Sequence, residues 1–301
     1  MDVRGWGERG ELRRSRRVLA QMERDARREA RRAHRRSTGR PLIALTAVVG
    51  LTVGGGLVLR ENGWDLAELA RPRAYVEVDG RAVAVPRPSP AGGRVLAAVP
   101  ATSTGTHAFL HTTVTGAPVG YDPCRVVEYV IRPDGMPPTG QALVQDAVSI
   151  VSAASGIAFA GGGATDEQPV VDRALIQPER YGDGWAPVLF AWSDASEMPE
   201  LTGQVAGVGG SAQVPGSDGT GSWLAAGRVV LDTEDIATLL AGPLGYEKAR
   251  AIVVHELSHV LGLDHVDDPN ELMHPITAQR TDLGPGDLEG LALLGQAPCE
   301  D

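Results

Sequence analysis

Hydrophobic and polar positions divide the chain into segments of different kinds. One stretch without any charge covers residues 41–59, which are 19 residues between Arg40 and Arg60. As a helix it would rise about 28 Å, close to the hydrocarbon thickness of a bilayer. The pattern therefore predicts one transmembrane helix over 41–59. A cleaved signal peptide is the alternative, although a charged leader of 40 residues is long for one and no A-x-A site follows.

Beyond this span the pattern predicts a short hairpin and then a larger domain. Apolar and polar residues alternate over 75–85, YVEVDGRAVAV, around Asp79-Gly80, a dipeptide suited to a two-residue turn. Residues 86–94, PRPSPAGGR, have the composition of a linker. The predicted division is a tail over 1–40, a membrane helix over 41–59, a hairpin and linker over 60–100, and a domain over 101–301.

Within 101–301 both strand and helix periodicities occur. Residues 125–132 alternate like a strand, and 139–156 repeat like a helix between Thr139 and Gly156. Four short apolar runs follow, and helical patterns return over about 246–262 and 287–295. The runs, which predict further strands of one sheet, are IAFA, VLFAWS, VAGVGGSAQV and RVVLDT. The predicted fold class is α+β.

Charge gives the predicted membrane span an orientation. The formal net charge of −10 combines +8 over residues 1–40 with −18 over the remainder. Basic flanks stay in the cytoplasm, so we expect a single-pass protein with its larger domain outside the cell, or a secreted one after signal cleavage. The basic tail also fits nucleic acid, but attraction to anionic lipid headgroups explains it more simply. We expect a membrane partner and no nucleic-acid partner.

The only two cysteines, Cys124 and Cys299, stand near the two ends of the larger domain. An oxidising compartment favours pairing between them, and the alternative is that one is a free thiol that blocks a metal. A bridge across so long a loop would constrain the unfolded chain by about 4–5 kcal/mol.

Four of the seven histidines fall within VVHELSHVLGLDHVDDPNELMHP, residues 253–275. Residues four apart on a helix share a face, so His255 and His259 project together, one turn apart. His265 would point elsewhere from an unbroken helix, but Gly262 allows the helix to end and the chain to reverse. The spacing predicts a helix, a glycine turn and a returning third histidine.

Three imidazoles suit Zn²⁺ and leave a fourth position open, which is typical of a catalytic zinc site. Zinc would lower the pKa of a bound water, and Glu256, next to His255, is placed to act as general base. The alternative, a helix whose histidines have no shared role, does not account for five residues at these spacings.

With Met273 in ELMHP, the run HExxHxxGxxH resembles the metzincin zinc peptidases, and HVDDPNELMHP resembles their matrixin branch. The resemblance implies a metzincin-like catalytic domain, with a mixed twisted β-sheet, an active-site helix and a C-terminal helix. It also implies that Met273 forms an apolar turn beneath the histidines. By the same resemblance His274 and Pro275 line the pocket for the residue after the cleaved bond.

Two departures from that family change the expectations. Matrixins usually have Ser after the third histidine, where this chain has Val266, which affects the subfamily and not the ligands. The animal members bind a second zinc through histidines, but residues 112–254 contain no His, so we expect one zinc only. Calcium is a candidate at three acidic loops, although solvated loops look the same. These loops are at Asp183, Asp218 and Asp232 to Asp235.

Two further features leave alternatives open. The glycine-rich run 205–214 fits an edge strand that would pair with an extended peptide, as in that family, and equally a buried strand of small residues. His107 and His111 are also four apart, but they lack a third partner nearby and are read as ordinary strand residues.

The sequence thus predicts a zinc-dependent endopeptidase that hydrolyses extracellular proteins or peptides with Glu256 as general base. One alternative is a zinc amidase acting on cell-wall peptides, which would share the metal and Glu256. Another is a zinc-binding sensor or adhesion module without turnover. The pattern gives no indication of oligomeric state.

Overall fold

A computed structural model describes residues 72–300, apart from 79, 90, 91 and 277–279. The chain divides into two compact units, 1–71 and Pro72–Asp301. The predicted basic tail and membrane helix lie outside the described residues. Within the part that is described, no helix is both long and apolar enough to cross a membrane.

The second unit contains nine strands and five α-helices among the residues described. The strands are β1 (Tyr75–Val78), β2 (Arg81–Ala84), β3 (Ala108–Phe109), β4 (Val127–Ile131), β5 (Phe159–Ala164), β6 (Val188–Ser193), β7 (Gly207–Pro215), β8 (Ser222–Asp232) and β9 (Leu263–Asp264). The helices are α1 (Gly140–Ser155), α2 (Pro178–Tyr181), α3 (Thr233–Leu240), α4 (Gly245–Leu261) and α5 (Pro285–Leu294).

Five strands form one mixed sheet in the order β5-β4-β6-β8-β7. The first four strands in that order are parallel, and β7 runs antiparallel to β8 at one edge. The register of β7 on β8 shifts between Gly210 and Ala212, which marks a bulge. The run 205–214 therefore forms an edge strand and not a buried central one.

The sheet is buried on both faces around β6. Val188, Phe190 and Trp192 pack into the main core, while the alternate residues Leu189 and Ala191 pack on the opposite face. All six residues of the strand are buried, as a strand covered on both sides requires. The α+β prediction is confirmed by this arrangement.

Helices α1 and α4 cover one face of the sheet, and α5 packs against both of them. The buried side chains of α1 fall at helical spacing, among them Leu143, Val144 and Val151. The helix ends at Gly156, which has φ 72°. This layer carries α4, the helix predicted to hold the metal ligands.

Residues 72–100 differ from the separate hairpin and linker that their composition predicts. A hairpin is present, with Val78 paired to Arg81, but the Ala74 amide donates to the Ser217 carbonyl at 2.9 Å. Further on, the Val95 amide donates to Pro123, and Val85 is fully buried. This segment packs within the same compact unit as the larger domain, because Pro-rich and Gly-rich chain can still bury its few apolar side chains.

Candidate metal centre and active site

Helix α4 carries two of the predicted metal ligands on its buried side. It begins after Leu244, which has φ 54°, and runs for 17 residues with Val253, Val254 and Leu257 in the core. His255 and His259 are 4% and 8% exposed and lie one turn apart. Their shared face follows from the helical repeat.

Gly262 ends this helix in the left-handed conformation predicted for it, with φ 115°. Its amide donates to the carbonyls of Ser258 and His259 at 3.1 and 3.0 Å. A Cβ at this position would also come within 3.0 Å of the Val119 carbonyl oxygen. Both the backbone angle and the space therefore favour glycine.

A short strand pairing fixes the chain after the turn. Leu263 and Asp264 form β9, which pairs antiparallel with Phe109 and Ala108 of β3. The next residue is His265, whose amide donates to the Asp264 carboxylate at 2.7 Å. His265 therefore directly follows β9, and β9 is fixed by its pairing with β3, which lies more than 150 residues earlier in the sequence.

The three imidazoles converge on one point. The Nε2 atoms of His255, His259 and His265 are 3.1 Å apart in each of the three pairs. The Nδ1 atoms of His255 and His259 lie 2.7 Å from the carbonyls of Leu272 and Leu263. A carbonyl only accepts, so each Nδ1 carries the proton and leaves its Nε2 lone pair aimed at the common point.

This geometry fits zinc. Tetrahedral ligands at about 2.0–2.1 Å from Zn²⁺ are roughly 3.3 Å from one another, close to the separation of these nitrogens. Burial lowers the pKa of His255 to about 3 and that of His259 to about 4, so both are neutral, as metal ligands must be. His265 is exposed, and among the described residues no fourth His, Cys, Asp or Glu groups with these three ligand atoms. The chain thus offers three nitrogen ligands and room for a fourth.

Glu256 lies next to the first ligand in a narrow space. The residue is 8% exposed, and burial raises the pKa of its carboxyl group to about 8. Positions 207 and 209 of β7 are glycines, and a Cβ at either would come within 3 Å of Glu256 atoms. A positive ion at the histidines would favour the charged form of this carboxyl group.

The turn containing Met273 is attached to the metal centre through its backbone. Met273 is 1% exposed and packs in the main core. The carbonyl of Leu272, one residue earlier, accepts from His255. The Met273 carbonyl accepts from the Val266 amide at 3.1 Å, one residue after the third histidine. The turn therefore braces both a ligand on α4 and the segment that carries His265.

Two buried carboxylates that the sequence reasoning missed hold this turn against α5. Asp287 accepts from the amides of Leu272, Met273 and Gly284. Glu271 accepts from the Gly286 amide through both oxygens at 2.9 Å. A signal existed for Asp287, because Pro285-Gly-Asp at the first positions of a helix is a typical N-terminal sequence.

The other predicted residues occupy the surroundings of the centre. His274 is partly exposed, with its Nε2 3.8 Å from the Asp267 carboxylate, and Pro275 is exposed. They follow the Met273 turn directly, and their part in a substrate pocket stays a prediction. His107 packs against Phe109 in a tilted arrangement, with ring centroids 5.3 Å apart, and is not one of the three histidines whose nitrogens converge.

The carboxylates considered for calcium hold local backbone. Asp218 accepts from the Thr220 amide and hydroxyl at 2.7 Å. Asp232 caps α3 by accepting from the amides of Glu234 and Asp235. Asp183 is exposed. Calcium at these loops stays a prediction.

The predicted disulfide is confirmed. Cys124 and Cys299 are bonded, with Cα atoms 5.4 Å apart and a sequence separation of 175. Asp122 also lies close to both sulfurs, but neither sulfur is free to bind a metal. The converging histidines are therefore the metal candidate among the described residues.

Comparison with known proteins finds a match to one family model. The model of the matrixin family matches residues 188–294. No curated protein matches the chain. Among solved structures the chain is similar to archaemetzincin from Methanopyrus kandleri, with 16% sequence identity and a TM-score of 0.34, over 57% of this chain and 94% of that one. The family match begins with β6 and ends with the last residue of α5, so it includes all three histidines.

Proposed function

We propose that this chain, a matrixin-like zinc metalloendopeptidase, hydrolyses internal peptide bonds of extended protein segments with Glu256 as general base. The observation that carries the proposal is the convergence of three Nε2 atoms, 3.1 Å apart, beside a buried carboxylate. A structural zinc site would be closed by a fourth protein ligand, whereas among the described residues no fourth His, Cys, Asp or Glu joins these three histidines.

His255, His259 and His265 would hold the ion, and the hydrogen bonds of the first two rings to the Leu272 and Leu263 carbonyls keep those rings oriented. Zinc, when bound, supplies a Lewis acid that activates water and polarises a carbonyl group. Glu256 would take a proton from the attacking water at its carboxylate. The same group would then give that proton to the departing amine, so it serves first as base and then as acid.

The edge strand β7 supports an extended substrate. An edge strand has backbone groups that are not paired within the sheet, and peptides commonly add to such strands. The helix face that bears Glu256 packs directly against this strand. A peptide paired with β7 would therefore pass beside the carboxylate and the three imidazoles.

The test is cleavage of a mixed peptide library by the purified full chain, read by mass spectrometry. Glu256→Gln keeps the shape of the side chain and removes the base, so we expect the rate to fall by about 10²- to 10⁴-fold with zinc retained. His259→Ala removes a ligand, and we expect loss of both zinc and cleavage. A chelator should stop the wild-type reaction, and added zinc should restore it.

Glu247→Gln is the matched control, because Glu247 is an exposed carboxylate in the first turn of the same helix. It should cleave like the wild type. Wild-type rates in Glu256→Gln would show that Glu256 is not the base. Cuts only at chain ends would contradict endopeptidase activity.

We also propose that the catalytic unit faces the outside of the cell, anchored by residues 41–59. The disulfide between Cys124 and Cys299 supports an oxidising location. In intact cells that express the full chain, an amine reagent that cannot cross membranes should label the exposed Lys248. Labelling only after the cells are broken would contradict an outside location.

A further inference from the structure

The face of β7 that meets α4 has no side chains at two positions. An ideal Cβ on Gly209 would lie 2.1 Å from the carbonyl oxygen of Glu256, and 2.9 Å from its Cα. An ideal Cβ on Gly207 would lie 2.9 Å from the Cγ of Glu256 and 3.4 Å from its Cδ. Gly209 thus sets how closely the helix backbone approaches, whereas Gly207 contacts the side chain itself.

Backbone conformation does not explain glycine at these two positions. Neither Gly207 nor Gly209 has a positive φ, so an L-residue could adopt the same strand angles. The reason for glycine at position 207 is the space that Glu256 occupies. Leu231, its cross-strand partner, is the other neighbour, with Cδ2 3.1 Å from the ideal Cβ.

Glu256 depends on this packing for its position. Among the described residues no side chain or backbone group makes a hydrogen bond to its carboxylate, in contrast to Glu271 and Asp287, which accept two or three amides each. Contact with β7 therefore limits where the carboxylate can lie. A general base must lie within hydrogen-bond reach of the proton it takes, so this limit bears on turnover.

We propose that Gly207 is a positioning residue for Glu256: the missing side chain at position 207 lets the carboxylate lie beside the metal centre, and any Cβ there displaces it. The proposal rests on the proposed role of Glu256 in hydrolysis. The ideal Cβ would lie 2.9 Å from the Cγ of Glu256, and ordinary contacts begin at 3.4 Å, so relief of the contact requires a shift of roughly half an ångström.

The experiment compares Gly207→Ala with wild type in the full chain. We expect kcat to fall about 10- to 100-fold, since a displacement on this scale at a catalytic group is costly. We expect KM to change by less than about threefold and the zinc content to stay the same. Gly184→Ala is the control, because Gly184 is exposed, its Cβ would meet nothing within 4 Å, and its φ is not positive.

A second measurement separates positioning from general damage to β7. Glu256→Ala removes the Cγ and Cδ that a Cβ at position 207 would meet, so Gly207→Ala should lower the melting temperature in the wild-type background and by clearly less in the Glu256→Ala background. Equal lowering in both backgrounds, failure to fold in both, or an unchanged kcat in Gly207→Ala would overturn the proposal. Activity retained in Glu256→Ala would instead overturn the proposed function, and the two failures are thus distinguishable.

Discussion

At the scale of single residues, a buried ion pair organises the long loop between β5 and β6. Arg173 donates to both oxygens of Glu167, at 2.7 and 2.9 Å, and both side chains are less than 9% exposed. The same guanidinium donates to the carbonyls of Ala226, Gly227 and Pro187. One side chain therefore joins the loop to β8 and to the residue that precedes β6.

This pair makes stability depend on acid pH. Burial alone would raise the pKa of Glu167, but hydrogen bonds and the charge of Arg173 outweigh it, so the pKa lies below its ordinary value of 4.5. A group with a lowered pKa in the folded state contributes stability that is fully present above the ordinary value. That contribution is lost as the pH falls through the lowered value.

Glu167→Gln leaves the Arg173 charge buried without a counter-charge. We expect the free energy of unfolding at pH 7 to fall by about 3–5 kcal/mol. We also expect the variant to lose less of its remaining stability than the wild type as the pH falls below 4.5. Denaturant unfolding across this pH range measures both effects.

Glu179→Gln is the control for this change, because Glu179 is an exposed carboxylate in α2 of the same loop. It should change the stability by less than about 0.5 kcal/mol. An equal loss in both variants would mean that the buried pair has no special part in holding the loop.

The residues with recognisable spacing could be placed from the sequence, and those with a purely spatial role could not. His255, His259 and Gly262 follow from helix geometry alone. The partners of Asp287 lie 14 and 15 residues away along the chain, on a turn that only the fold brings to it. Gly207 of β7 likewise lies against Glu256 of α4. A glycine-rich strand in a sequence does not show which atoms of other elements lie against each glycine.

At the scale of elements, long periodic segments were predicted well. The helix expected over about 246–262 is Gly245–Leu261, and the one expected over 287–295 is Pro285–Leu294. The runs VLFAWS, VAGVGGSAQV and RVVLDT fall on β6, β7 and β8, whereas only the last two residues of IAFA belong to β5. Periodicity reports which face of an element is buried, and that information is local.

Elements that depend on distant partners were missed. Strand β9 has two residues and forms only because residues 263–264 meet residues 108–109 of β3, which lies in the segment around His107 and His111 that was read as strand. Helix α3, which Asp232 caps by accepting from the amides of Glu234 and Asp235, was not predicted either. Both omissions concern contacts or caps that a hydrophobic pattern does not record.

At the scale of the whole molecule, a disulfide fastens the C-terminal residues to the segment that precedes β4. The bond between Cys124 and Cys299 closes a loop of 175 residues. Around it the Trp223 indole donates to the Pro298 carbonyl at 3.1 Å, and the Ser217 amide donates to the Glu300 carboxylate. The last residues of the chain therefore pack against the start of β8.

Reduction of this bond should weaken the whole unit. The loop-closure entropy of an unfolded chain predicts a contribution of about 5 kcal/mol, and natural disulfides typically contribute about 2–5 kcal/mol. We expect a lower melting temperature in reducing agent for the wild type. The double variant Cys124→Ser, Cys299→Ser should melt at the lower temperature with or without reductant, and a wild-type melting temperature that ignores reductant would contradict a stabilising bridge.

The outer edge of β7 affects the tendency of the protein to associate with other molecules. A strand left open to receive a peptide is equally open to a strand from another molecule, the first step of edge-to-edge aggregation. Other folds cover or charge such an edge, but a cover would prevent the peptide pairing proposed for β7. Strand β7 has glycines at 207, 209 and 210 and a proline at 215, residues that pair poorly in long flat sheets. We therefore expect it to pair transiently with a substrate peptide and not stably with a strand of another molecule.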